Sequence, residues 1–470
     1  MVEVVVGGAW IFFATLVVSA AGFALWVIVS RILGVGVVGV TSAAVSAAGV
    51  ASTLIAAGLP IAVMREFAAK GLNALPPATL VTLVLGAASA IVATLMVAAL
   101  PPSFGVPLWV PPVLSLMSVA STVGLQALVG LGRFKEYFAS TLTASLAKVV
   151  LGVGLALLGW GALAPLLGYV SYPIVALLVT TYFLITTYLT RPRGDPDGGG
   201  SLAGGVLPLI KLTYSNYPFI FSTQILNMLS VYFFAVLTGR AVDTGTLYLS
   251  LMIVLILNAV VGSALNASLS VSLRKGVDPF TGTLRLALTI AAPLAAAVST
   301  APTLPLHLIN PALTGGASTL ALLTLTIPPT AVATAALMKA NKEGRHSTIA
   351  ALGVTRLITL LTLLPPLARA AGTDGVALAY LAANVTPLPI AVKEVPGTLK
   401  PLTVTWGTQT ALTIAASTLT PTPTLTQAAA IALTAAAAML AVTHATKTAN
   451  LKEIAGIITT ITKKALSKQP

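Results

Sequence analysis

The sequence predicts an all-α integral membrane protein of about fourteen transmembrane helices, with two six-helix lobes in parallel pseudo-twofold symmetry plus two C-terminal helices. Three observations carry that prediction. The 470 residues are 57% hydrophobic and 8% charged, with a mean hydropathy of +0.99. Soluble domains average about 25% charged residues, so this composition suits a lipid solvent. Apolar runs of the roughly 20 residues that a spanning helix needs recur along the whole chain. The cations fall almost wholly in alternate loops, the asymmetry that orientation across a bilayer produces.

In chain order, the runs fall near 7–31, 38–60, 78–100, 110–131, 138–158, 164–189, 213–238, 247–271, 283–306, 317–338, 347–368, 375–392, 402–419 and 426–444. The start, "MVEVVVGGAWIFFATLVV", has no basic segment before its apolar stretch, which runs on to Ile32. It therefore reads as a retained first helix and not a cleaved signal. The turns "LPPSFGVP", "INPALTGG" and "TPTPT" separate spans with Pro and Gly. The last two spans are rich in Thr and Pro and carry the weakest apolar signal. The linker "TRPRGDPDGGGSLAGG", 190–205, follows a first lobe at 1–189 and precedes a second at 206–395. Spans thirteen and fourteen occupy 396–446, and a basic tail fills 447–470.

With the N-terminus in the cytoplasm, 20 of the 25 Lys and Arg lie on inner loops and the tail. Three (Arg31, Arg240, Arg369) lie on outer turns, and two, Lys148 and Arg356, lie inside spans. A miscounted span would scramble this division. The chain is thus expected in the cytoplasmic membrane, multi-pass, with both termini cytoplasmic. The net charge of +14 belongs to that orientation, because no basic stripe with interleaved aromatics marks a nucleic-acid partner. Cysteine is absent and the three histidines are far apart, so neither a metal site nor a cofactor is expected.

The chain also repeats itself. "GRFKEYFASTLTASLAKVVLGVGLALLGWGALAPLLGYVSY", from Gly132, matches "GRHSTIAALGVTRLITLLTLLPPLARAAGTDGVALAYLAAN", from Gly344. Each copy is a basic inner loop, a span with one cation, a short outer turn and a span with a tyrosine, Tyr169 or Tyr380. Both copies start on the same side, which makes the repeat parallel.

The stretch "RILGVGVVGVTSAAVSAAGVASTLIAAGLPIAVMREFA", 31–68, resembles the polysaccharide transporters. These are flippases of lipid-linked oligosaccharides within the multidrug/oligosaccharidyl-lipid/polysaccharide (MOP) superfamily. Arg31, Leu33, Gly34, Gly39, Gly58, Leu59 and Arg65 carry the pattern, and the loops "GLGRFKEYFAS" and "MKANKEGRHSTIAALG" resemble the family's paired inner loops. The turn "GVGVVG" departs from the acidic residue and tyrosine usual there. Span one also lacks the arginines of relatives that flip the peptidoglycan precursor. The resemblance implies movement of a lipid-linked oligosaccharide on a polyprenyl or dolichyl phosphate or pyrophosphate. It also implies contact with membrane lipids, a monomer, and glycosyltransferases of the same pathway as neighbours.

The polar residues inside spans are the site candidates. Lys148 lies roughly 11 residues into span five and Arg356 roughly 10 into span eleven. A cation at a helix centre costs about 2.5–3.5 kcal/mol on insertion scales. Snorkelling, packing against carbonyls or hydroxyls, and binding the carrier's phosphate are the three readings of that placement. On span seven, Asn216, Ile220, Thr223, Gln224 and Asn227 form a helical stripe, and Asn258 and Asn266 share a face of span eight. Interhelical hydrogen bonding and a sugar-lined cavity both account for these amides. For Tyr214, Tyr217 and Tyr232, interfacial anchoring or packing is favoured over sugar stacking. A cation-coupled multidrug exporter of the related MATE class needs a carboxylate at a span's centre, and no span has one. An enzyme acting on lipid-linked sugars needs carboxylates in sizeable outer loops, and only Asp243 and Asp374 face outward. The chain is expected not to be an enzyme.

Overall fold

The computed structural model describes residues 2–190, 202–275, 280–420, 423–446 and Thr448. Among these residues every regular element is helical, as a lipid solvent requires when all backbone polar groups must be satisfied within the chain. The first six spans are α1 (Val2–Ile32), α2 (Val35–Ala56) continued by α3 (Leu59–Lys70), α4 (Leu75–Ala98), α5 (Val110–Gly130), α6 (Phe134–Leu157) and α7 (Leu163–Leu189). Then follow α8 (Leu202–Thr238), α9 (Ala241–Lys275), and α10 (Phe280–Thr300) with the short α11 (Thr303–Ile309). The tenth span is α12 (Ala317–Thr324) with α13 (Ile327–Lys342), and α14 (His346–Val385) with α15 (Leu388–Glu394) supplies two more. The chain ends in α16 (Leu399–Leu419) and α17 (Leu425–Ala445).

Eleven stretches among the described residues are long and apolar enough to cross a membrane. One of them doubles back: α14 is kinked at Ala371 and Gly372, where φ of +57° at the glycine interrupts the helix. With that division, α8 and the Thr-rich α16, the described residues hold about fourteen helices long enough to cross a membrane.

Several spans are broken where the sequence reading drew one continuous run. The second breaks at Ala57–Gly58, with Pro60 at the start of α3. The tenth breaks at Leu325–Thr326, where Pro328 opens α13. Proline is tolerated at a helix start because its missing N–H would be unpaired there anyway. The carbonyls left free at the second break are cared for by neighbours. Gln409 Nε2 donates to the Thr324 carbonyl at 3.2 Å, and Thr326 Oγ1 donates to the Leu323 carbonyl at 2.6 Å.

The chain forms two compact units. The first comprises 1–252, 309–313 and 356–379. Within it α6 packs on α1 and α7, α5 on α4 and α7, and α2 against α4, α5 and α8. Its largest apolar cluster includes Leu59, Phe67, Leu128 and Leu209. The second unit comprises 253–308, 314–355 and 380–470. There α10 packs against α12, α13, α16 and α17, with alanines and Met439 at the contact, and small residues let such helices approach closely.

The repeat is visible in the backbone. Gly132 and Gly344 adopt φ of +75° and +67°, and the arginines after them, Arg133 and Arg345, have φ/ψ of −85°/62° and −81°/72°. In both copies the arginine N–H reaches back five residues, to the Leu128 and Ala340 carbonyls, at 2.8 Å. A left-handed glycine is what this turn requires.

Candidate functional site

Lys148 sits on α6, which starts at Phe134, four residues before the sequence reading placed it. At 1.5 Å per residue the lysine is about 21 Å from the cation-rich end of its helix and about 14 Å from the other. Its side chain is 4% exposed. The ammonium does not run along the helix to an interface. It lies 5.2 Å from the ring centre of Tyr169 and 5.3 Å from that of Tyr172, both on α7. These tyrosines are three residues apart, so they share a helix face. A desolvated cation over aromatic faces gains about 2 kcal/mol, comparable with the cost of placing it at this depth.

Neighbouring helices complete the cage. On α1, a Cβ added at Gly22 would lie 3.5 Å from Lys148 Nζ, in ordinary van der Waals contact, so this face of α1 lines the ammonium's surroundings. One turn on, Trp26 Nε1 donates to the Tyr169 hydroxyl and packs edge-on against Tyr248 of α9, with ring centres 5.0 Å apart. Helices α6 and α7 meet glycine to glycine: a Cβ at Gly168 would come within 2.8 Å of the Lys148 carbonyl and 2.9 Å of Gly152 Cα. Among the described residues, no carboxylate pairs with Lys148 and no acceptor hydrogen-bonds it.

Arg356 is also buried, at 8% exposed, on α14, which starts at His346. It is about 15 Å from that start, one helical turn shallower than Lys148 is on α6. Both cations belong to the first compact unit. Asn227 is half-buried on α8 and makes a polar contact. Asn258 is half-buried on α9, and its Oδ1 is enclosed without a hydrogen-bond donor. The side chains of Asn216, Gln224 and Asn266 lie outside the described residues. The sequence reading missed Trp26, Tyr172 and Tyr248. The three-residue spacing of Tyr169 and Tyr172 was the available signal. Among the described residues, no cluster of His, Cys, Asp or Glu could hold a metal ion.

At the cation-rich end, each repeated arginine is anchored. Arg133 pairs with Glu136 at 2.7 Å and donates to Thr187 of α7. Arg345 pairs with Glu343 and with Glu394 of α15.

No protein-family model matches the sequence, and no curated protein is similar to it by sequence. Solved structures are similar in fold. The lipid II flippase MurJ, in an inward closed conformation, superposes with a TM-score of 0.65 at 14% identity, over 91% of this chain and 97% of its own. An inward-facing multidrug resistance MATE transporter of the MOP superfamily gives 0.55 at 14% identity, over 83% and 94%. The eukaryotic MATE transporter AtDTX14 gives 0.55 at 14% identity, over 86% and 98%. The fold is therefore the one that these solved transporters share.

Proposed function

We propose that this chain is a flippase, moving a lipid-linked oligosaccharide across the cytoplasmic membrane by alternating access. The observation that carries this reading is Lys148: a buried cation with no carboxylate beside it, in a transporter fold. Lys148 and Arg356 are its phosphate-attracting residues, the lysine as a point charge and the arginine as a bidentate donor. Asn216, Gln224, Asn227, Asn258 and Asn266 are its sugar-facing amides. The cation-rich end lies in the cytoplasm on this reading. An inside-negative potential then favours outward movement of an anion by about 2.3 kcal/mol per charge per 100 mV, so no coupling ion is required.

The second reading is a cation-coupled multidrug exporter, favoured by the fold shared with MATE transporters. Gene deletion separates the two. Loss of surface glycan, restored by the intact gene, is the expected result. Unchanged glycan with drug efflux lost would overturn the flippase in favour of the exporter. Orientation has its own check in the cysteine-free chain: Gly199→Cys is expected to label only from the cytoplasm and Gly315→Cys only from outside.

A further inference from the structure

Two sets of contacts tie the helices together at the cation-poor end of the first unit, and the proposed phosphate and sugar residues take part in neither. One is a reciprocal pair of hydrogen bonds. Arg31 Nε, in the last turn of α1, donates to the Ile309 carbonyl at 2.8 Å. Asn310 Nδ2 donates back to the Ser30 carbonyl at 2.7 Å. The same asparagine's Oδ1 accepts from the Ala312 N–H at 3.0 Å, so its amide is fixed from both sides.

The other is a backbone crossing of α2 and α9. A Cβ at Gly39 would overlap the Ala241 carbonyl and lie 2.9 Å from the Gly245 nitrogen. A Cβ at Gly245 would overlap the Val35 carbonyl and lie 2.9 Å from the Gly39 nitrogen. Helices this close leave no passage for a solute between them. Ser42, one turn further along α2, is fully buried.

The two sets are mechanically joined. Only Leu33 and Gly34 separate α1 from α2, and Gly34 holds φ of +87°. Moving Ser30 and Arg31 away from Asn310 therefore pulls Val35–Gly39 away from Gly245. Neither set itself interlocks large side chains. Trp26, four residues before Ser30 on the same face of α1, packs on Tyr248, three residues past Gly245, which joins the two sides again one turn deeper.

We infer that the Ser30–Arg31 and Ile309–Asn310 pair is the latch of a gate, holding the Gly39–Gly245 crossing shut at the cation-poor end. The latch rests on the transporter reading, in which that end must open and close.

The test reads accessibility and needs no substrate. Ser42→Cys, a near-isosteric change, is exposed to a membrane-impermeant maleimide from the face that labels Gly315→Cys. Asn310→Ala is expected to raise its labelling rate by about tenfold, the effect of one lost hydrogen bond on an opening equilibrium. A Cβ at Gly36 would lie 3.7 Å from Val242 Cγ2. Oxidising the pair Gly36→Cys and Val242→Cys should therefore abolish labelling, and reductant should restore it. Equal labelling with and without Asn310→Ala, at equal Tm, would overturn the latch, as would equal labelling with the pair oxidised and reduced. If Asn310→Ala lowers Tm, Arg31→Gln is read by the same criterion. A chain that moves no lipid-linked glycan would refute the flippase and leave these labelling outcomes unchanged.

Discussion

The Gly132–Arg133 turn and the Gly344–Arg345 turn are nearly the same object, yet the helices they open are not. Both turns use a left-handed glycine, the same five-residue backbone bond and an arginine with an anchored side chain. Beyond them, Lys148 is 14 residues past the start of α6, whereas Arg356 is 10 past the start of α14. The surroundings differ too. Tyr169 is followed three residues later by Tyr172, the second ring under Lys148, while Tyr380 is followed three residues later by Ala383. A lysine ammonium is a compact charge that gains from two faces, and arginine brings its own planar fork. The two copies share the turn, whereas their deep cations differ in type and in depth along the helix.

The largest effect expected from testing this comparison is at the arginines. Arg345→Gln leaves the buried Glu394 without its cation, the side chain being 6% exposed. That should cost about 1–3 kcal/mol, toward the lower half because Arg345 itself is 45% exposed. Arg133→Gln disturbs a pair whose members are 31% and 25% exposed, and should cost no more than about 1 kcal/mol. Equal losses in denaturant unfolding in detergent would break the asymmetry. Next come the glycines. Gly132→Ala and Gly344→Ala should each cost about 1–2 kcal/mol, the penalty of an L-residue in the left-handed region. Clearly unequal Tm shifts would show that the turns are not equivalent. The smallest effect is at the cage. Tyr172→Phe keeps a ring under Lys148 and should be near neutral, while Tyr172→Leu should cost about 0.5–2 kcal/mol. The same loss for both would mean that the ring only fills space.

The spans were legible in the sequence because burying a helix in lipid needs a long apolar run, and loop charges report its direction. Even the Thr-rich α16 forms, since its hydroxyls bond their own helix carbonyls, as Thr405 does to Pro401 at 2.7 Å. What hydropathy does not encode are breaks and contacts. Leu59–Lys70 is a helix of only 12 residues carrying Arg65, Glu66 and Lys70, too short and too charged to register as anything but loop. At the Leu325–Thr326 break the Thr324 carbonyl is met by Gln409, a residue 85 positions away. Lys148 stood out as a cation out of place, but its cage draws on α1, α6, α7 and α9, and no local spacing reports that meeting. The amide stripe was visible as a pattern, and only Asn227 and Asn258 of it have described side chains.

The central claim is that the caged lysine serves the substrate's phosphate and not the packing of its helices. The most direct measurement is flipping of a fluorescent polyprenyl-pyrophosphate oligosaccharide in proteoliposomes, parent against Lys148→Gln and Arg356→Gln, with Tm recorded for each. The expected result is loss of flipping to background in both variants, with Tm near that of the parent. Unimpaired flipping in both would contradict the phosphate role, and loss of folded protein would assign the cations to packing.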